Sequence, residues 1–410
     1  MQSVPQKRNP LFFPLMVGVL LSFGLSGCSK GRGVSSVGEE NLFSIEYGNF
    51  EDEINLFDSA DAGVLNTRMT MRNGFFYVAN GESKKILELN SYGDLLNLFY
   101  NDEEMESQRF ADKDVRNSTK KAIAYPFNHL GPIAVDARNC LYAADVLPAE
   151  KHERDEAGRL LLNYVVLRFD AEGNFLDYIG QQGPGGTPFP FVKGIFATKL
   201  NELVVLCATN DGPVVYWFNE KGFLLYKIPI TRQSVPLPGA DDGGRDGGTF
   251  YVSVGNVVPD WAGRRLFIHV DYYREAVDSG SNMLSGVEYA LSLLCQLDLE
   301  TKRYGDSLEI PPYECAVGDG LSAETHAVPY DFLGVTDNGW LFFLIPDDGG
   351  YLVQMVQPDG QRILKRSLSV DHEKNVYVSL SLSESGIISG LFVQNDSAKI
   401  KWWRTDSLIY

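Results

Sequence analysis

The 410-residue sequence has few residues that could assemble a metal or redox site, and its basic residues are outnumbered. It contains five cysteines and five histidines, and 54 acidic residues against 36 basic ones give a formal net charge of −18. No two histidines have a metal-ligand spacing, and the cysteine spacing fits no zinc or redox motif. The sequence therefore predicts no metal and no cofactor. Its acidic balance argues against nucleic acid as a partner and against electrostatic docking on anionic lipid.

Long apolar runs are absent except at the N-terminus. Lys7 and Arg8 precede an apolar run from Leu11 to Leu25. A charged region followed by a short hydrophobic region is typical of a signal peptide, and this run is too short to span a bilayer comfortably as a permanent helix. An ordinary secretory signal and a hydrophobic anchor, each with an incidental cysteine, are the alternatives to the lipoprotein signal described next.

The apolar run ends in Leu25-Ser26-Gly27-Cys28, which resembles the lipobox of bacterial lipoproteins. The resemblance implies that a diacylglycerol thioether forms on Cys28 and that cleavage leaves Cys28 as the first mature residue. Residues 1–27 are then the signal peptide. Their removal takes away two basic residues, so the charge becomes 34 − 54 = −20.

Acylated Cys28 would tie the mature chain to a lipid bilayer, since two or more acyl chains anchor a protein stably. The segment that follows is rich in Gly, Ser and charge, which predicts a lipidated flexible tether over residues 28–42. Residue 29 is Ser and not Asp, so the inner-membrane retention signal known in some bacteria is absent. We expect a cell-envelope location, with the outer membrane favoured over the inner one.

The remaining cysteines are expected to behave as structural residues. Cys140, Cys207 and Cys295 lie in strand-like apolar runs, where a buried thiol behaves as a small hydrophobe. A disulfide between Cys295 and Cys315 stays open as an alternative in an exported protein.

Helical patterns are nearly absent beyond the N-terminus, and short runs of β-branched and aromatic residues alternate with turn residues. The clearest repeat comprises Gly131–Asp136, Asn139–Asp145, Tyr164–Asp170 and Gly173–Ile179. This order of elements resembles an NHL-type β-propeller repeat. The resemblance implies that residues 43–410 form a single all-β propeller of four-stranded blades.

Looser copies of this pattern predict the number of blades. Their second strands begin near residues 74, 139, 201, 264, 339 and 386, which favours six blades, with five or seven as alternatives. The last unit, residues 376–403, supplies only three strands. Phe43–Tyr47 or Glu53–Phe57 is expected to provide the fourth, because pairing of the chain ends removes exposed sheet edges. A pair of β-sandwich domains is the rival fold.

Several polar residues are candidates for a site. Some six-bladed propellers are calcium-dependent hydrolases with Asn, Asp and Glu around the channel, and this chain has Asn80, Asp136, Asp145, Asp271 and Asp337 at predicted blade ends. Asp and Asn there more commonly cap turns. The sequence has no nucleophile elbow, phosphate loop or dinucleotide fingerprint in a supporting context, so no catalytic residue is assigned.

The histidines and one acidic loop give weaker signals. His269 is predicted to be a core or edge residue, whereas His129 and His326 precede first strands and would lie near one face of the ring. The other two histidines, His152 and His372, are assigned no role. Asp241–Gly248 departs from the EF-hand pattern and is interpreted as a solvated loop.

Two charged insertions, residues 101–130 and 147–162, point to a binding surface, since long loops on a rigid scaffold often carry one. Solvated decoration is the alternative. The expected function is a membrane-tethered lipoprotein whose propeller binds or scaffolds an envelope protein or ligand without catalysis. The alternative is a calcium-dependent propeller hydrolase of the esterase or lactonase kind. A structural role in outer-membrane assembly is a third hypothesis, on fold analogy alone.

Overall fold

Six β-sheets form blades around a central channel in the computed structural model. The model describes residues 34–56, 66–105, 121–238, 250–277, 280, 283–317 and 324–410. The predicted signal peptide (residues 1–27), Cys28 and the Asp241–Gly248 loop lie outside these ranges. The innermost strands of all six blades line one cavity. The predicted six-bladed propeller is thus confirmed.

The strands follow the chain from blade to blade, with one strand preceding the first blade. This strand is β1 (Glu39–Ile45). Blade 1 contains β2 (Thr67–Arg72), β3 (Phe75–Asn80), β4 (Lys85–Leu89), β5 (Leu95–Tyr100) and β6 (Lys121–Ala124). Blade 2 contains β7 (Leu130–Val135) and β8 (Leu141–Val146), then, after the separate hairpin β9 (Glu153–Arg154) and β10 (Leu161–Leu162), β11 (Tyr164–Phe169), β12 (Phe175–Gly180) and β13 (Gly183–Pro184).

Blades 3 and 4 occupy the middle of the chain. Blade 3 contains β14 (Val192–Ala197), β15 (Leu203–Thr209), β16 (Gly212–Phe218) and β17 (Leu224–Pro229). Blade 4 contains β18 (Tyr251–Pro259), β19 (Arg265–Val277), β20 (Leu284–Asp298), β21 (Arg303–Tyr304) and β22 (Leu308–Ile310).

A separate hairpin precedes the last two blades. It consists of β23 (Tyr313–Val317) and β24 (Glu324–Val328). Blade 5 contains β25 (Asp331–Val335), β26 (Leu341–Asp347), β27 (Gly350–Val356) and β28 (Ile363–Ser369), and blade 6 contains β29 (Tyr377–Leu382), β30 (Ile388–Val393), β31 (Ala398–Trp403) and β1. Helix is confined to single turns in the described residues, at Asp102–Met105, Ala149–Lys151 and Thr405–Leu408, and none of them is long and apolar enough to cross a membrane.

The repeat pattern located the strands closely. The second strands of the six blades start at Phe75, Leu141, Leu203, Arg265, Leu341 and Ile388, each within two residues of the predicted position. Four strands per blade was an underestimate for blades 1, 2 and 4. Short outer strands add to these blades, and β6 pairs with β5 in parallel.

The first strand closes the ring by completing the last blade. β1 pairs antiparallel with β31, from Glu39 opposite Trp403 to Ile45 opposite Ala398. This confirms Phe43–Tyr47 as the predicted source of the missing strand. The other option, Glu53–Phe57, was wrong, since Ile54 forms only an isolated bridge with Tyr47.

Each of the six hydrophobic clusters fills the space between two neighbouring blades. Between blades 6 and 1, for example, Ile400 and Leu391 pack with Phe76 and Met69. Trp217 and Trp403 are completely buried. Burial of one large apolar side chain stabilises a fold by about 1.5–3 kcal/mol, so alternating apolar residues on strands with two packed faces hold the ring together.

The recurrent Asx and Gly residues of the sequence form one kind of turn. Asn219 Oδ1 accepts the backbone N–H of Lys221 and of Phe223, each at 3.0 Å. Gly222, three residues after Asn219, has φ +88°, which is costly for residues with a Cβ atom. The same geometry recurs after Asn90 and Asp170 and fixes the third strand to the fourth.

Candidate functional site

The central channel contains a cavity of about 260 Å³ near the end at which the inner strands finish. Most of the residues that line it are apolar, and every blade contributes some of them. The apolar lining residues include Met69, Met71, Ile133, Val135, Ile195, Val258, Leu333, Val335, Leu380 and Leu382. The cavity is slightly smaller than typical small-molecule pockets, so it has room for a small ligand.

Arg72 is the charged residue at an otherwise uncharged level of the channel. It is the last residue of β2 and pairs with Phe75 at the start of β3. The positions with the same register in the other inner strands are occupied by Val135, Ala197, Pro259, Val335 and Leu382. Only one of the six blades therefore contributes a guanidinium group here.

The Arg72 side chain is buried and poorly hydrogen-bonded. Its exposed fraction is 9%. The guanidinium lies 4.8 Å from the ring centroid of Trp261, in blade 4 on the opposite side of the ring. Nη1 donates to the carbonyl of Val135 at 3.3 Å, Nε lies 3.8 Å from Glu384 Oε1, and Nε has no hydrogen-bond partner. Burial without full pairing is costly for such a group.

Trp261 and Glu384 are held in place by turns between first and second strands. The carbonyl of Trp261 accepts the N–H of Lys199 at 3.0 Å, and the carbonyl of Glu384 accepts the N–H of Asp337 at 2.8 Å. Each bond joins the turns of neighbouring blades. Next to Trp261, the Asp260 carboxylate is bound by Arg265 Nη2 at 2.6 Å and Nε at 2.9 Å, so its charge is already paired.

The five acidic or amide candidates predicted from the sequence do not line this cavity. Asn80, Asp145 and Asp271 lie in second strands, whereas Asp136 and Asp337 lie in turns after first strands. Asp136 is buried and accepts the backbone N–H groups of Arg138 and Cys140 at 2.9 Å each. Asn80 contacts Thr67, Asn55 and Glu82. The contacts of Asp136 agree with the expectation that such residues cap turns.

Asp145 and Asp271 are buried carboxylates with different surroundings. Asp145 accepts backbone N–H groups from Asn128, His129 and Val146, and burial raises its pKa to about 6. Asp271 accepts a hydrogen bond from Ser292 at 2.5 Å and lies 3.5 Å from His269 Nε2. Burial raises the pKa of Asp271 and lowers that of His269.

The histidines lie at separate places in the structure. His269 is buried in β19, as predicted, and its ring centroid is 5.9 Å from that of Phe343 in blade 5. His152 and His372 each contact a backbone carbonyl at 2.7 Å. His129 immediately precedes β7 and His326 lies in β24, both just before a first strand as predicted. In the described ranges, no group of three or more His, Cys, Asp or Glu residues is placed to hold a metal ion.

The cysteines behave largely as expected. Cys207 and Cys295 are buried in β15 and β20, whereas Cys140 is partly exposed in the turn before β8. Cys295 is a free thiol and is not joined to Cys315. Burial raises the pKa of Cys295, which keeps this thiol protonated and unreactive.

The two faces of the ring carry connections of very different lengths. Turns from first to second strands span two to five residues, such as 73–74 and 136–140. In an antiparallel meander, the connections from second to third strands and from blade to blade lie on the opposite face. That face carries the described ends of the first predicted insertion, residues 101–105 and 125–130, and the second insertion, residues 147–162. We call it the insertion face.

A two-stranded arm projects from the insertion face in blade 4. β19 and β20 pair from Arg265 opposite Asp298 to Val277 opposite Leu284, whereas their neighbour β18 ends its pairing with β19 at Tyr251 opposite Tyr273. Beyond that point four apolar side chains of the arm are 54–67% exposed. They are Val277, Met283, Leu284 and Val287. This arm was not predicted from the sequence, although alternating apolar and polar residues on both sides of a short gap are typical of a long hairpin.

The chain is a six-bladed β-propeller by its own strand pairing, and solved structures that resemble it do so only distantly. A streptogramin B lyase structure is 10% identical, with 89% of this chain and 97% of that chain covered and a TM-score of 0.35. A putative gluconolactonase is 12% identical, with 89% of this chain and 92% of that chain covered and a TM-score of 0.38. An ulvan lyase is 12% identical, with 88% of this chain and 82% of that chain covered and a TM-score of 0.37. No protein-family model and no curated protein matches the chain.

Proposed function

We propose that this protein is a lipid-anchored binding module of the bacterial cell envelope, and that its insertion face binds another envelope protein. The exposed apolar tip of the β19–β20 arm carries this proposal. Exposed apolar patches that project from a rigid scaffold commonly mark protein interaction sites. Among the described residues, no further strand pairs with the arm at its tip.

The anchor is proposed from the lipobox-like sequence that ends at Cys28. Cys28→Ala should abolish acylation and leave the signal peptide uncleaved, because the peptidase acts after the thioether has formed. Mass spectrometry and detergent-phase partitioning of the variant expressed in the source bacterium would measure both effects. A variant that still entered the detergent phase with the mature mass would contradict the anchor.

The arm is tested by replacing its apolar tip. The triple variant Met283→Ser, Leu284→Ser and Val287→Ser should reduce in-cell cross-linking to the envelope partner by about tenfold, since loss of buried apolar contacts weakens an interface. The measurement is quantitative mass spectrometry of cross-linked complexes of the full-length protein. The double variant Leu200→Ser and Phe223→Ser is the matched control, because both side chains are exposed but lie in turns on the opposite face.

Two results would overturn the binding proposal. One is a cross-linked partner that the arm variant retains at the level of the control. The other is the absence of any partner together with measured turnover of a small substrate by the purified protein. Unchanged thermal unfolding of both variants would show that the substitutions act locally.

A further inference from the structure

Among the described residues, the buried Arg72 guanidinium leaves most of its hydrogen-bonding capacity unused. A guanidinium group carries five N–H donors. Here one hydrogen bond is made, from Nη1 to the carbonyl of Val135, and it is long at 3.3 Å. Glu384 at 3.8 Å is too distant for a hydrogen bond to Nε, and Nε has no partner. Donors of this strength, facing a cavity, call for an acceptor from outside the chain.

We infer that the central channel binds a small monocarboxylate with an apolar body, and that Arg72 holds its carboxylate group. The site is separate from the β19–β20 arm, so the inference stands independently of the proposed function.

The geometry of the guanidinium favours a carboxylate. The adjacent Nε–H and Nη–H groups form a planar fork that matches two carboxylate oxygens. Trp261 lies against the guanidinium at 4.8 Å, and this contact keeps the fork in a fixed plane without using its N–H groups. Arg72 is therefore oriented before any ligand arrives.

The charges around the cavity disfavour a ligand that carries two negative charges. Glu384 is 3.8 Å from Arg72 and would repel a dianion such as phosphate or sulfate. Asp260 adds little to this repulsion, since Arg265 neutralises its charge and donates two hydrogen bonds to its Oδ2. A monoanion competes with Glu384 for Arg72, and it is repelled less by Glu384 than a dianion would be.

The size and wall of the cavity define the body of the ligand. A volume of about 260 Å³ corresponds to roughly nine water molecules at about 30 Å³ each, so the ligand has on the order of ten non-hydrogen atoms. The apolar side chains among the lining residues, such as Met69, Ile133 and Leu333, suit an apolar chain or ring. Hexanoate and benzoate are suitable probes.

The first test compares each acid with its neutral amide on the full-length protein in non-ionic detergent. We expect saturable one-to-one binding of hexanoate or benzoate by calorimetry, at least tenfold tighter than hexanamide or benzamide. Tryptophan fluorescence should change on binding, and Trp261→Phe should reduce this change. The absence of saturable binding by both acids, equal affinity for acid and amide, or tighter binding of sulfate or phosphate would overturn the inference.

The second test removes the fork. Arg72→Met retains an apolar stem and should raise the dissociation constant at least tenfold, and Arg72→Lys, which keeps the charge without the planar fork, should raise it severalfold. Arg303→Met is the matched control, because this arginine is exposed on the outer side of blade 4 and its loss should leave the affinity unchanged. Unaltered binding by a folded Arg72→Met would overturn the inference. If Arg72→Met fails to fold, Arg72→Lys decides in its place.

Discussion

The buried carboxylate of Asp145 shows how one side chain connects two blade elements. It sits in β8 and accepts the backbone N–H groups of Asn128 and His129, which lead into β7. The carboxylate thus fixes the entry of the chain into blade 2. Burial raises the pKa of Asp145 more than the hydrogen bonds that it accepts lower it, so this pKa is about 6.

This pKa predicts a pH dependence of stability. The folded chain binds the proton more tightly than the unfolded chain, whose Asp pKa is 3.8. The contribution of Asp145 to the free energy of unfolding should therefore fall as the pH rises from about 4 to about 6, by on the order of 2–3 kcal/mol, and stay low above that. Asp145→Asn should remove this part of the slope in urea unfolding measured between pH 4 and 7.

Asp170→Asn is the control for Asp145→Asn. A hydrogen bond from Asn174 holds the pKa of Asp170 below its usual value, so this group loses its proton below the pH window of interest and the slope should be unchanged. Parallel pH profiles for the wild type and Asp145→Asn would contradict the prediction.

At the same scale, sequence reasoning found the turn-capping residues but not Arg72. Asx residues before Gly have a local role that their spacing reveals, as at Asn219 and Gly222. Arg72 has no motif, and its burial depends on Trp261 and Glu384, which come from distant parts of the chain. Alignment of the last residues of the six inner strands is the signal that would have singled it out.

The strands inside each blade were more predictable than the strands at the blade edges. Second strands such as β15 are buried on both faces along most of their length and consist almost entirely of apolar residues. β1 is half polar because it lies at the periphery, and its first residues therefore resemble a tether in sequence. β6 and β13 consist of few residues, and their pairing depends on tertiary context that local patterns do not contain.

The β19–β20 arm illustrates the same limit for longer elements. The pairing of β19 with β20 continues beyond the last residues of β19 that pair with β18. Arg274 and Glu288 form an ion pair at 2.7 Å across the arm, but exposed pairs of this kind add little stability. The arm is therefore held by its backbone pairing and leaves its apolar tip uncovered.

At the scale of the whole molecule, the two ends of the folded chain meet at one sheet. β1 joins β31 at the outside of blade 6, and Val37 donates a backbone hydrogen bond to Ser367 in the outer strand of blade 5. The segment that precedes β1 therefore approaches the ring at its perimeter.

A disulfide across β1 and β31 should make this closure permanent. Ser44 and Lys399 are opposite one another in the antiparallel pair, at a Cα separation of about 4.5–5.5 Å, which a disulfide can bridge. Ser44→Cys with Lys399→Cys closes a loop of roughly 350 residues, and the lost entropy of the unfolded chain stabilises the protein by up to about 5–6 kcal/mol. The midpoint of denaturant unfolding should rise in the oxidised double variant.

The same double variant after reduction, and Ser44→Cys alone, are the controls and should unfold near the wild-type midpoint. Because the bond joins residues at opposite ends of the sequence, its effect depends on β1 being part of blade 6. If β1 were not paired with β31, the two thiols would rarely meet, and oxidation would yield little intramolecular disulfide by mass spectrometry. An oxidised form that unfolded at the same denaturant concentration as the reduced form would show that ring closure does not limit the stability of the propeller.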